Sequence, residues 1–211
     1  MMGAMNTPPR LTPLLEQFDW GCLRLLNRMT GPEVDSGNGS PIPAAMMTDD
    51  EYFWAPVPGA WSVRRRTEGA GPRATWLVGA GEWVRDSYSD KEPYPPPFTT
   101  IAWRLSHLTE MLTMRADYTS GSRSMTDDTY LVSGDAATAI GALAAAVEAW
   151  RTSLLLCDDK ALDTVGYSTY PYGSDTADMF LDIVWWVNQE VLHHGAEIAL
   201  LRDLYRDRVR T

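Results

Sequence analysis

The chain is short of the residues on which several kinds of protein depend. It holds only two cysteines in 211 residues, Cys22 and Cys157. They are too few and too far apart for a disulfide framework or a zinc ribbon, so buried free thiols are expected. A basic surplus is also missing: 18 Lys and Arg against 28 Asp and Glu give a net charge of −10. That charge excludes the basic footprint of a nucleic-acid partner. Long apolar runs are absent too. The most apolar stretch of the last third, "MFLDIVWWV", is interrupted by Asp182, and nothing approaches the roughly 18 residues of a membrane span. The opening "MMGAMNTPPR" lacks the charged-then-apolar layout of a signal peptide, and the cytoplasm is the expected compartment.

What is present is the balance of an ordinary globular protein, 45% apolar and 22% charged, and one domain over residues 1–211 is expected. Four segments show helical periodicity. The first, about 10–30, lines up Leu11, Leu14, Leu15, Phe18, Cys22, Leu25 and Met29 at three- and four-residue intervals. The second, about 98–119, follows "YPPP", whose prolines often precede a helix. The third, about 134–157, is alanine-rich and turns Ile140, Leu143, Val147, Trp150 and Leu154 inward, with Ser133 or Asp135 as its N-cap. The fourth, about 174–207, is the longest, with Ser174 or Asp175 as its cap and Met179, Ile183, Trp186, Val187, Ile198, Leu201 and Leu204 as its apolar arc.

Between the first two segments lie some 65 residues of another character. "TGPEVDSGNGSPIP" reads as loop, and "MTDDEYFWAPVPGAWSVRRR" sets Trp54 and Trp61 in a proline- and glycine-rich stretch. So long a connection is uncommon unless it packs or acts. Its aromatic residues are expected to lie over the helices. No convincing series of strands is visible, so the expected fold is all-α: a four-helix bundle with a long irregular connection between helices 1 and 2.

Ionisable groups stand where that bundle should be dry. Glu190, His194 and Glu197 fall in the centre of the apolar arc of the fourth helix, and His193 falls to one side. An unpartnered buried carboxylate costs several kcal/mol, so something must compensate it. On the second helix His107 shares a face with Trp103, Met111, Met114 and Tyr118, and Glu110 lies at the edge of that face. The i, i+4 pair Glu190 and His194, with His107 opposite, suits a divalent metal. Three protein ligands leave positions open, the mark of a reactive site. A metal-free hydrogen-bonded cluster is the alternative. A carboxylate-bridged dimetal site does not fit: Glu16 and Glu148 lie off the inward rows of their helices.

These residues resemble the DinB/YfiT-like superfamily, four-helix bundles with one histidine on helix two and a His-x-x-x-His pair late in helix four. The segment "DDEYFWAPVPGAWSVR" and the ending "NQEVLHHGAEIALLRDLY" carry the likeness. The resemblance makes His107, Glu190 and His194 the metal ligands, with a glutamate where the family has the first histidine of the pair. It implies zinc, nickel, manganese or iron, the glutamate shifting the site toward harder metals. It also implies activity as a low-molecular-weight-thiol S-transferase of the mycothiol or bacillithiol kind, in which the metal binds the thiol sulfur as a thiolate and presents it to a small electrophile. Glu197 or Glu110 would accept the proton, or orient His194.

Arg64 and Arg66, in the cluster Arg64-Arg65-Arg66, are the candidate anchors for the carboxylates of such a thiol. Tyr167, Tyr170 and Tyr172, in the loop before the fourth helix, are expected to pack that loop down, with a lid or a pocket lining as the alternatives. "GAWS" and "GYS" do not fit the Gly-x-Ser-x-Gly turn of a hydrolase. The competing reading is a non-catalytic bundle that binds a small ligand or supports a homodimer.

Overall fold

The computed structural model describes residues 7–31, 46–172 and 175–209. Most of "TGPEVDSGNGSPIP", Ser174 and the first six residues lie outside these. Helix α1 spans Thr12–Thr30, α2 Asp49–Phe53, α3 Ile101–Ser120, α4 Ala136–Leu155, α5 Asp159–Leu162 and α6 Phe180–Arg208. Strands β1 Val63–Arg65, β2 Trp76–Val78 and β3 Trp83–Ser87 come between α2 and α3. The long helices α1, α3, α4 and α6 are the four that periodicity foretold.

The expected inward rows close on one core. Leu11, Leu15, Phe18, Cys22, Leu25 and Met29 of α1 are buried, as are Ile140, Leu143, Val147, Trp150 and Leu154 from α4. Each large side chain so removed from water contributes roughly 1.5–3 kcal/mol. Helix α3 is the central element: it packs against α4, α6, α2 and the sheet, and is buried on nearly every side. Local chemistry sets its start, where Thr100 accepts a hydrogen bond from the amide of Trp103. Asp135 caps α4 in the same way, through the amide of Thr138. Gly31 closes α1 at φ 90°, a conformation glycine adopts without strain.

Two expectations are corrected. First, the fold is mostly helical but not all-α, because the connection folds into a three-stranded antiparallel sheet in the order β1-β3-β2. Val63 and Val78 both pair with Arg85 at the centre, and the Gly79-Ala80-Gly81-Glu82 link turns β2 into β3. Second, α6 begins at Phe180 rather than near residue 174. Asp175 is occupied elsewhere: its carboxylate takes the Arg115 guanidinium and the Tyr170 amide. Met179 accordingly stays outside the helix, bridged to Val165, and is 41% exposed. Leu204 is also exposed, on the side of α6 away from Arg202, which a buried ion pair with Glu51 turns inward.

No helix among the described residues is long and apolar enough to cross a membrane. Both cysteines are free and buried.

Candidate metal centre

Three of the residues singled out by pattern meet between α3 and α6. His107 Nε2 lies 3.4 Å from Glu190 Oε2, and His194 Nε2 lies 3.4 Å from the same oxygen. One ligand atom from each of the three residues falls within 4.8 Å of the other two. The helices do the placing: Glu190 and His194 are one turn apart on α6, and His107 faces them from the second turn of α3.

The protonation states follow from the neighbours. Burial holds the His107 imidazolium down to a pKa of about 4, against the pull of Glu190, so at neutral pH its ring is uncharged and offers a lone pair. Hydrogen bonds from His107 and His194 keep the Glu190 carboxyl far below the usual range, so it is ionised. His194 Nδ1 lies 2.7 Å from Glu197 Oε2, a contact that orients the ring. Its Nε2 faces the same Glu190 oxygen across 3.4 Å. The spacing is long for a charge-assisted hydrogen bond, about 2.7–2.9 Å. With all three ligand atoms within 4.8 Å of one another, the group is compact enough to share one ion. The donor set, two imidazoles and one carboxylate, is that of a catalytic zinc site or of its harder neighbours.

Around this group the chain builds two supports. Glu197 is taken up by three partners: Arg104 contacts its Oε2, His194 shares the same oxygen, and His193 lies 3.4 Å from Oε1. Arg104 lies 5.9 Å from the Phe98 ring, and burial lowers its pKa to about 10, which leaves it charged at neutral pH. His193 is largely exposed and stacks on the His194 ring at 4.9 Å and 11°. The second support is Trp103, stacked on the His107 ring at 5.1 Å and 22°, its indole N–H donating to the Asp86 carbonyl at 2.7 Å.

Beside His107 opens a cavity of about 730 Å³, whose wall includes His107, Glu110, Arg85 and Asp127. Glu110 is buried against Arg85. Desolvation, reinforced by Asp127, outweighs that guanidinium and pushes the Glu110 carboxyl up to about 7. Trp61 of the connection also lines this cavity, as do Tyr170 and Tyr172, whereas Tyr167 packs on Phe180 at 4.8 Å.

The arginines chosen from the sequence are not brought here. Arg64 grips Asp86 with Nε and Nη2, at 2.9 Å and 2.6 Å, and Arg66 is bonded to the carbonyls of Gly79 and Gly81. Neither lines the cavity. The arginine that does is Arg85, which sequence reasoning missed. Its signal was the pair of short runs "TWLV" and "WVRDS" about a glycine-containing link, the mark of a hairpin.

A family model described as the DinB superfamily matches residues 90–198. The chain belongs to the DinB superfamily. The matched span runs from the approach to α3 to near the middle of α6 and contains all three metal-ligand candidates. Arg85 and the strands lie ahead of it. No curated protein and no solved structure matches the chain.

Proposed function

We propose that this DinB-superfamily chain is a metal-dependent S-transferase that joins a low-molecular-weight thiol to a small electrophile. The observation that carries the metal is the meeting of His107, Glu190 and His194 within 4.8 Å, with both imidazole Nε2 atoms 3.4 Å from one carboxylate oxygen. When bound, a divalent ion of the zinc, nickel, manganese or iron kind supplies the Lewis acidity that generates a thiolate at neutral pH.

The chain's own residues supply the rest. Glu197 holds the His194 ring in place. Glu110, on the cavity wall with a pKa of about 7, accepts the thiol proton. Arg85 holds Glu110 where it stands. Aromatic walls exclude water from the reacting sulfur. The thiol's anchor is not Arg64 or Arg66, since both are engaged by the sheet and its glycine link. The cytoplasm, where such thiols are kept reduced, is the compartment this chemistry suits.

The test is thiol consumption with a chromogenic electrophile such as 1-chloro-2,4-dinitrobenzene. A rate that needs added metal, and falls by about 10²-fold or more in Glu110→Gln, supports the reading. A metal-loaded protein with no rate above the free thiol would favour a non-catalytic ligand-binding bundle.

A further inference from the structure

The cavity beside His107 has a chemical character that thiol activation does not use. Its wall carries Trp61, Trp76, Tyr88, Trp103, Tyr170 and Tyr172. Depth can be read from exposure. His107 and Glu110 form the floor, their side chains 26% and 6% exposed. Trp76, Tyr88 and Tyr172 form the mouth, at 41%, 42% and 55%.

The charges on the same wall are unbalanced. Among the described residues Arg85 is the one Lys or Arg on this wall, and that guanidinium is spent on Glu110 and on the Trp103 ring, 5.1 Å away. With Arg85 offsetting Glu110, the carboxylates of Asp127, which bonds to the Glu110 carboxyl and the Tyr172 hydroxyl and so links floor to mouth, and of Glu92 are in surplus. Asp127 is fixed beside the mouth, because its amide donates to the Tyr172 hydroxyl at 2.9 Å. Aromatic faces present negative potential, so rings and carboxylates attract the same sign of charge. An anionic group would find no unpaired cation here.

We propose that the cavity mouth receives an organic cation, an alkylated ammonium group seated against Trp76, Tyr88 and Tyr172 with Asp127 and Glu92 as counter-charges. The inference rests on the preceding reading only in naming the charge of that reaction's substrate. The rest of the ligand extends inward toward His107. The cationic end keeps to the mouth, away from the positive charge of an occupied metal site.

Binding is measured on chelator-treated, full-length protein, so that failure of the metal reading leaves the result intact. The probes are choline, its neutral isostere 3,3-dimethylbutan-1-ol and the anion pivalate, followed by tryptophan fluorescence and calorimetry. The expected result is saturable choline binding about tenfold tighter than the alcohol, and none for pivalate. Trp76→Leu, on an edge strand, and Asp127→Asn should each weaken choline about three- to tenfold while circular dichroism is unchanged. Equal affinity for choline and the alcohol, tighter binding of pivalate, or no saturation by choline would overturn the proposal.

Discussion

His107 and Glu190 stand 83 residues apart in the chain, yet their Nε2 and Oε2 atoms lie 3.4 Å apart between α3 and α6. One is a neutral imidazole and the other a carboxylate held ionised, both of which are metal-ligand chemistry. The site's behaviour follows from how that pair and His194 are supported.

Glu197 touches His194 rather than the shared ligand centre. Glu197→Gln leaves three ligands but gives up the negative partner that orients the His194 ring. Metal affinity should fall about 10- to 100-fold, read by competition with a chelating dye. Unchanged affinity would mean that Glu197 only pairs with Arg104.

Glu110 gives the protein a distinctive pH response. Its carboxyl is raised from 4.5 to about 7, so the folded state holds this proton more tightly than the unfolded state. Its contribution to stability is present below the unfolded value and is lost as pH rises through the folded one. Urea unfolding of metal-free protein at about pH 5 and about pH 8 should show the wild type losing roughly 1–3 kcal/mol more than Glu110→Gln across that window. Equal losses would remove Glu110 as a neutral-range titrating group.

Glu51 and Arg202 are both almost fully buried, and Arg202 Nε lies 2.5 Å from Glu51 Oε1. This pair ties α2 to the last turns of α6. Arg202→Ala strands a carboxylate in the interior and should cost about 3–5 kcal/mol by denaturant titration. A cost below about 1 kcal/mol would show that Arg206, 3.8 Å from the same oxygen, suffices alone.

Gly134 lies flat against Trp83. A Cβ there would come within 2.0 Å of the indole Nε1 and 2.1 Å of Cε2. That ring cannot easily retreat, since it stacks on Phe53 at 5.6 Å and under Arg65 at 4.7 Å. Gly134→Ala should lower stability by about 1–3 kcal/mol or more. A neutral substitution would show that the sheet can slide away from α4.

Much of this was legible in the chain. The four long helices, their apolar rows and the convergence of His107, Glu190 and His194 all follow from 3.6-residue periodicity, because polar groups inside an apolar arc must meet a partner. The sheet was not legible in that way. Its strands are three to five residues long, and β3 buries Val84, Arg85 and Asp86 on both faces, which erases the alternation that marks a strand. Arg64 looked like a free cation because its partner Asp86 lies 22 residues away on a neighbouring strand. Asp175 resembled a helix cap for a similar reason: the Arg115 that claims it is 60 residues distant. Local pattern finds what a helix face shares, and it misses pairs that only tertiary folding brings together.

The most direct measurement is elemental analysis of the purified protein beside His107→Ala, Glu190→Ala and His194→Ala, each checked for folding by circular dichroism. The account predicts close to one divalent metal per chain in the wild type and loss of most of it in each variant. Metal-free wild type that takes up no zinc, nickel, manganese or iron on titration would contradict it, as would a variant that keeps its full complement.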